Sequence, residues 1–328
     1  MSASAPPPSP VPLSDWKLPQ QEIARQPKRG RQPALHIEQG QTCLQQNGTR
    51  TVRASLLRNL YRGRDPFKAV DAARFDHRYP HSNLRASFVK ALLLSLPAPR
   101  FWLEVGSFVG NSIVTTVAVA AHLCLVNLTV VSIDPFAGDT AMWDFQKLIR
   151  GNTHPPFGYD FLQLTADGRP TVRDRFMANV LHSGAAPWVV PITIPGVSGL
   201  RLLNQLRRGV THAPTPLGCL PDVIYLDSAH ESGETMLELK LAFQVLEPGG
   251  ALFGDDWNWD AVRKDVVAFA RTIVQDRRQI SQSAFLRTSA EAGQRCTTME
   301  RHRTPWLTVC EPGGTWILFK AGQQGLNC

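Results

Sequence analysis

The sequence predicts an α/β fold: a doubly wound, mostly parallel seven-stranded sheet with a C-terminal antiparallel hairpin. Three observations predict it. Short apolar, β-branched runs alternate with longer stretches of helical periodicity from Phe101 onward. A turn bearing Gly106 and Gly110 joins the first run to a helical stretch. The last two runs flank Glu311-Pro312-Gly313-Gly314, which reads as a hairpin turn. Strands and helices that alternate in this way build a parallel sheet with helices on both faces, because each crossover must return over the sheet.

Taken in order, residues 1–34 are rich in Pro, Gln and basic residues and read as a disordered leader. Residues 35–97 read as an N-terminal cap or helical extension, and residues 98–328 as the main domain. Ser82 is placed to N-cap a helix through Leu96, with Leu84, Phe88, Ala91, Leu92 and Ser95 on one face. Pro97 and Pro99 stop it. Strands follow at Phe101–Val105, Thr129–Ile133, Trp188–Ile194, Asp222–Asp227 and Ala251–Gly254. Helices are expected from about Asn111, over Ser232–Leu246 and over Ala261–Asp276. Leu307–Cys310 and Trp316–Lys320 form the hairpin. Ser112 to Ile133 runs 22 residues without Asp, Glu, Lys or Arg, long enough to span a membrane. Asn127 and the β-branched Thr129-Val130-Val131-Ser132-Ile133 instead mark a buried helix followed by a buried strand.

Charge narrows the function. Of the formal +8, residues 1–64 carry +7, ten Lys/Arg against three acids. A basic leader is not a basic groove, which weighs against nucleic acid as substrate. Six cysteines (Cys43, Cys124, Cys219, Cys296, Cys310, Cys328) form no CxxC pair and no zinc spacing. They read as reduced thiols of a cytoplasmic protein. The basic leader keeps delivery to an organelle as the alternative. No membrane span is expected, and a homo-oligomer stays open.

The turn Glu104-Val105-Gly106-Ser107-Phe108-Val109-Gly110-Asn111-Ser112 carries the first chemical signal. Glycines between a strand and a helix allow close backbone approach to a ligand, and the helix start offers free N–H groups. GxGxxG is absent, since position 108 is Phe, which points away from a pyrophosphate ligand. The second strand ends in Asp134, a carboxylate suited to accept from two ribose hydroxyls.

These residues resemble motif I of class I S-adenosylmethionine-dependent methyltransferases. So do Ile133-Asp134-Pro135-Phe136 through Trp143, Gly168-Arg169-Pro170 with Phe176 and Asn179, Asp222 through His230, and Pro248-Gly249-Gly250 through Trp257. Together they are similar to the broad group holding sugar O-methyltransferases of macrolide and aminocoumarin biosynthesis and cephalosporin-hydroxylase-like proteins. The resemblance covers roughly residues 80–320. It implies a Rossmann-like methyltransferase fold and S-adenosylmethionine held by Glu104, Gly106, Ser107, Gly110, Asn111, Ser112 and Asp134. The chain departs from the pattern after the third strand, where position 196 is Gly and not Ser.

Asp227, Asp255 and Asp256 close the fourth and fifth strands, whose ends lie about 5 Å apart in a sheet. Close carboxylates repel unless a cation joins them, and Mg²⁺ takes oxygen ligands. The resemblance implies a metal at the same three positions. His230, three residues past Asp227, is an imidazole suited to take a hydroxyl proton. His230 and Asp227 are therefore the catalytic candidates, and the expected substrate is a small hydroxylated molecule. Trp257 and Trp259 fit either a pocket wall or the core. The long Trp143–Trp188 segment suggests a lid, with Arg150, Tyr159 and Arg169 as candidate contacts. His77, His81 and His154 read as surface residues. Two alternatives remain: a catalytically silent methyltransferase-like binding protein, and a cephalosporin-hydroxylase-like oxidative enzyme. The latter lacks a two-His-one-carboxylate set.

Overall fold

The computed structural model describes residues 51–75, 82, 84–138, 163–208, 217–228, 230–273, 280–299, 304–311 and 314–322. The expected leader, His77, His81, Asp139, Trp143, Arg150, His154 and Tyr159 lie outside them.

The sheet contains β1 (Phe101–Val105), β2 (Thr129–Ile133), β3 (Val189–Ile192), β4 (Val223–Leu226), β5 (Ala251–Gly254), β6 (Arg295–Met299), β7 (Thr304–Glu311) and β8 (Thr315–Phe319). Its order is β3-β2-β1-β4-β5-β8-β7-β6. The first five strands are parallel to one another, and β8, β7 and β6 continue antiparallel. The order reverses between β1 and β4, so a crevice opens beyond the carboxyl ends of those strands.

Among the described residues the sheet has eight strands, not seven. The additional one, β6, reads Arg-Cys-Thr-Thr-Met and lies at the edge, half-exposed to exposed along its length. An edge strand with a wet face shows no apolar run, so pattern reading passes over it.

Eight helices flank the sheet among the described residues: α1 (Thr51–Tyr61), α2 (Ala86–Ser95), α3 (Asn111–His122), α4 (Val172–His182), α5 (Gly196–Arg208), α6 (Glu234–Val245), α7 (Asp260–Thr272) and α8 (Ile280–Glu291). Strand side chains alternate between two cores. Trp102, Tyr225, Phe253 and Phe319 meet α2, α3, α4 and α8 on one face. Leu103, Ile224, Leu252 and Leu318 meet α1, α5, α6 and α7 on the other. Each such buried side chain contributes roughly 1.5–3 kcal/mol. Tyr225 stacks on Phe253 with ring centres 4.6 Å apart, and Phe88 of α2 closes the cluster at 5.1 Å.

The described part of the expected cap belongs to these layers. α1 buries Val52, Leu56 and Leu57, and its Tyr61 hydroxyl donates to the Pro191 carbonyl of β3. α2 buries the face read from its sequence, but Ser82 does not cap it: its hydroxyl accepts from Leu84 N–H at 3.1 Å and the helix begins at Ala86. No helix among the described residues is long and apolar enough to cross a membrane.

The reduced-thiol reading is corrected. Cys296 and Cys310 face one another across β6 and β7 and form a disulfide. Cys124 and Cys219 are disulfide-bonded as well. Pairing depends on which strands become neighbours, and spacing along the chain carries no trace of that.

Candidate functional site

A cavity of about 830 Å³ opens at the carboxyl ends of β1 to β5, within the ~300–1,000 Å³ typical of small-molecule sites. Its lining joins the glycine turn to the acidic cluster. Gly106, Ser107, Gly110, Asn111, Ser112 and Asp134 line it, as do Asp227, His230, Asp255 and Asp256.

The turn is shaped by packing as much as by access. Gly106 has φ +85°, and a Cβ there would overlap the Asp227 carbonyl oxygen. β1 and β4 converge at that point, so any side chain would drive them apart. Gly110 has φ +89°, and its Cβ would press on the Phe176 ring. Phe176 packs on Phe136 with ring centres 4.8 Å apart, and Asn179 Nδ2 donates to the Val109 carbonyl at 2.9 Å.

Asp134 accepts from the backbone N–H groups of Ser107 (2.6 Å) and Phe108 (2.8 Å) through Oδ2, and from Phe136 N–H through Oδ1. It fastens the turn to the end of β2. Burial pushes its carboxyl up, opposed by these three amides. Phe108 and Phe136 hold φ +44° and +54°, a left-handed conformation costly for bulky residues. The Asp134 bonds hold both in place.

Glu104 sits beneath the cavity and not in its wall. It is fully buried on β1 and accepts from Ser112 Oγ at 2.6 Å, tying the strand to the first turn of α3. Burial pushes its carboxyl up to about 8, outweighing the Ser112 bond.

At the far end of the cavity, Asp227, His230 and Asp256 bring one ligand atom each within 4.8 Å of one another. Tyr225 Oη donates to Asp227 Oδ2 at 2.9 Å. Burial pushes the Asp227 carboxyl up to about 7, and the charges of Asp255 and Asp256 add to it. His230 Nε2 lies 2.7 Å from Asp256 Oδ2. Its ring stacks on Trp259 at 5.1 Å, fixing the imidazole plane. Asp256 has φ +59°. Asp255 lines the cavity but stands outside the converging triad, which it faces closely enough for its charge to raise the Asp227 carboxyl.

The two tryptophans divide. Trp257 packs against the core, and Trp259 is 53% exposed on the cavity wall. Leu237, also exposed, lines the cavity with it. Arg169 is exposed and pairs with Asp167 at 2.8 Å, away from the lining.

Glu234, Leu237 and Glu238 line the cavity without having been singled out in the sequence, and Ser82, read there only as a helix cap, lines it as well. Only Glu238 left a signal. It occupies a core-facing position of α6 among Thr235, Leu239, Ala242 and Val245, where a carboxylate is out of place.

No family model matches the chain, and no curated protein does. Solved structures similar to it include an O-methyltransferase from Bacillus cereus in complex with SAH, at 15% identity, TM-score 0.36, covering 85% of this chain and 94% of that one. The O-methyltransferase TomG from Streptomyces achromogenes, involved in tomaymycin synthesis and bound to SAM, has 16% identity and TM-score 0.34, covering 84% and 91%. A putative caffeoyl-CoA O-methyltransferase from Staphylococcus aureus has 11% identity and TM-score 0.38, covering 74% and 86%.

Proposed function

We propose that this chain is an S-adenosylmethionine-dependent O-methyltransferase acting on a small hydroxylated molecule. One observation carries the reading: the Gly106–Ser112 turn with Asp134, and the Asp227–His230–Asp256 triad, open into the same cavity. A sulfonium donor on the first and a hydroxyl on the second would share one chamber, the proximity in-line methyl transfer needs.

In this reading Ser107, Asn111 and Ser112 present the turn and helix start to the cofactor, and Asp134 keeps their backbone in place and faces the ribose. His230 takes the acceptor proton at Nδ1, directly or through water, because its Nε2 is engaged by Asp256. Asp256 orients it and stabilises the imidazolium, as carboxylates do beside catalytic histidines. Two carboxylates and an imidazole also fit a divalent cation with open positions. Asp227 and Asp256, with Asp255 beside them, would hold Mg²⁺, which when bound lowers the acceptor hydroxyl's pKa. The exposed Trp259 and Leu237 offer an apolar wall to the body of the acceptor. The triad holds one histidine, against the two of a facial iron site. The disulfides favour an oxidising compartment over the cytoplasm.

Titration calorimetry with S-adenosylhomocysteine tests the reading. One-to-one binding is expected, weakened by Asp134→Ala through loosening of the turn. Absence of binding to the wild-type chain overturns it.

A further inference from the structure

Asp256 meets His230 from a backbone state that few non-glycine residues hold, at φ +59°. Such a state persists only where the surroundings fix it. The φ and ψ of a residue are set by the two planar peptide units on either side of it. Both units beside Asp256 are pinned, and both pins reach it from β8 and the turn before it. The Asp255 carbonyl, in the unit before, accepts from Trp316 Nε1 at 3.0 Å. The Trp257 N–H, in the unit after, donates to the Gly314 carbonyl at 2.9 Å. The Asp256 carbonyl accepts from Trp259 N–H at 2.8 Å, closing the turn whose last ring stacks on His230.

Packing fits Trp316 to this position. It is buried beside Gly254, its register partner on β5. A Cβ at residue 254 would overlap the indole ring, so a glycine ends β5 where the ring must pass to reach the Asp255 carbonyl. The same indole lines a small recess with Asp227, His230, Asp255 and Asp256. A buried indole N–H finds an acceptor wherever it lies. Trp306 finds one in α7, the Ala270 carbonyl at 2.7 Å, away from the cavity lining. Trp316 finds one in the peptide unit that sets φ of Asp256.

We propose that β8 and its turn clamp the backbone around Asp256, with Trp316 as a positioning residue that holds the Asp256 carboxylate against His230. Trp316 touches no reacting group and acts through Asp256 alone. Its part in proton removal rests on the methyltransferase reading above.

The test is the ring Cε1–H resonance of His230, read by NMR on the full chain at one fixed pH. Asp256→Ala gives the position of that signal when the carboxylate is gone. Trp316→Phe keeps a buried ring and loses only the donor, and should move the signal at least about halfway to the Asp256→Ala position. Trp306→Phe makes the same chemical change far from the pair and should leave the signal in place. A His230 signal unmoved in Trp316→Phe overturns the proposal. So does an equal displacement in Trp306→Phe, since the indoles would then serve the fold in general. A signal unmoved in Asp256→Ala overturns it too, because no pair would exist to be positioned. Should Trp316→Phe fail to fold, Gly314→Ala replaces it, with the same displacement expected. Alanine disfavours the φ of +67° held there and would crowd Asn258, which shifts the other pin. None of these signals involves the cofactor, so a wild-type chain that binds no S-adenosylhomocysteine fells the methyltransferase reading and leaves the clamp to be judged on its own.

Discussion

At the scale of single residues, the site is organised by buried carboxyls with different partners. Asp134 accepts from three amides, Glu104 from one hydroxyl at Oε1, and Asp256 faces an imidazole. Glu104 has a measurable consequence. Its folded pKa of about 8 lies above its ordinary 4.5, so the folded chain binds the proton more tightly. Its contribution to stability is fully present below the ordinary value and is lost as pH rises toward the folded one. Glu104→Gln, which cannot ionise, should flatten the decline in melting temperature between about pH 5 and 8. Identical pH profiles for the two chains would refute the assignment. His230→Ala should lower turnover by ~10²–10⁴ with S-adenosylhomocysteine affinity unchanged. Unaltered turnover would remove His230 from the proton path.

At the scale of elements, the far edge of the sheet depends on a covalent link. β6 has little apolar burial and pairs with β7 alone. The Cys296–Cys310 disulfide spans 14 residues and holds it there. A loop of that length constrains the unfolded chain by about 3 kcal/mol. Replacing both cysteines by serine should therefore lower the denaturant midpoint and speed amide exchange in β6, with β1 to β5 still protected. An unchanged midpoint with β6 still protected would show that the ladder suffices without the bond. α6 makes the complementary point, since its buried face carries Glu238 at the price of apolar area, and the cavity is what that carboxyl faces.

At the scale of the molecule, the cysteines make the compartment testable. All four within the described residues are disulfide-bonded. Protein isolated from its native source under thiol-blocking conditions should leave Cys124, Cys219, Cys296 and Cys310 unlabelled until reductant is added, as read by peptide mass spectrometry. Labelling of all four before reduction would restore the cytoplasmic reading. The near-neutral charge of the chain beyond residue 64 fits a small-molecule cavity better than a nucleic-acid surface.

The amino-acid sequence by itself determined the order of the elements and the ends of the strands. β1, β2 and β5 begin and end where the apolar runs do, and the acids closing β2, β4 and β5 mark one edge of the sheet. Such signals are local: period, turn residues and the polarity that ends a run. Only the tertiary structure decided what converged. It joined His230 to Asp256 and left Asp255 outside the triad, because a positive φ at one residue redirects a side chain. It set Glu104 beneath the cavity and Glu238 at its wall, because crossovers set which helix faces which strand end. It paired Cys296 with Cys310, because strand neighbours are chosen by the sheet as a whole. At the Glu104–Ser112 turn the two contributions meet. The glycines are plain in the sequence, but only the packed strands show that Gly106 is required by the backbone of Asp227.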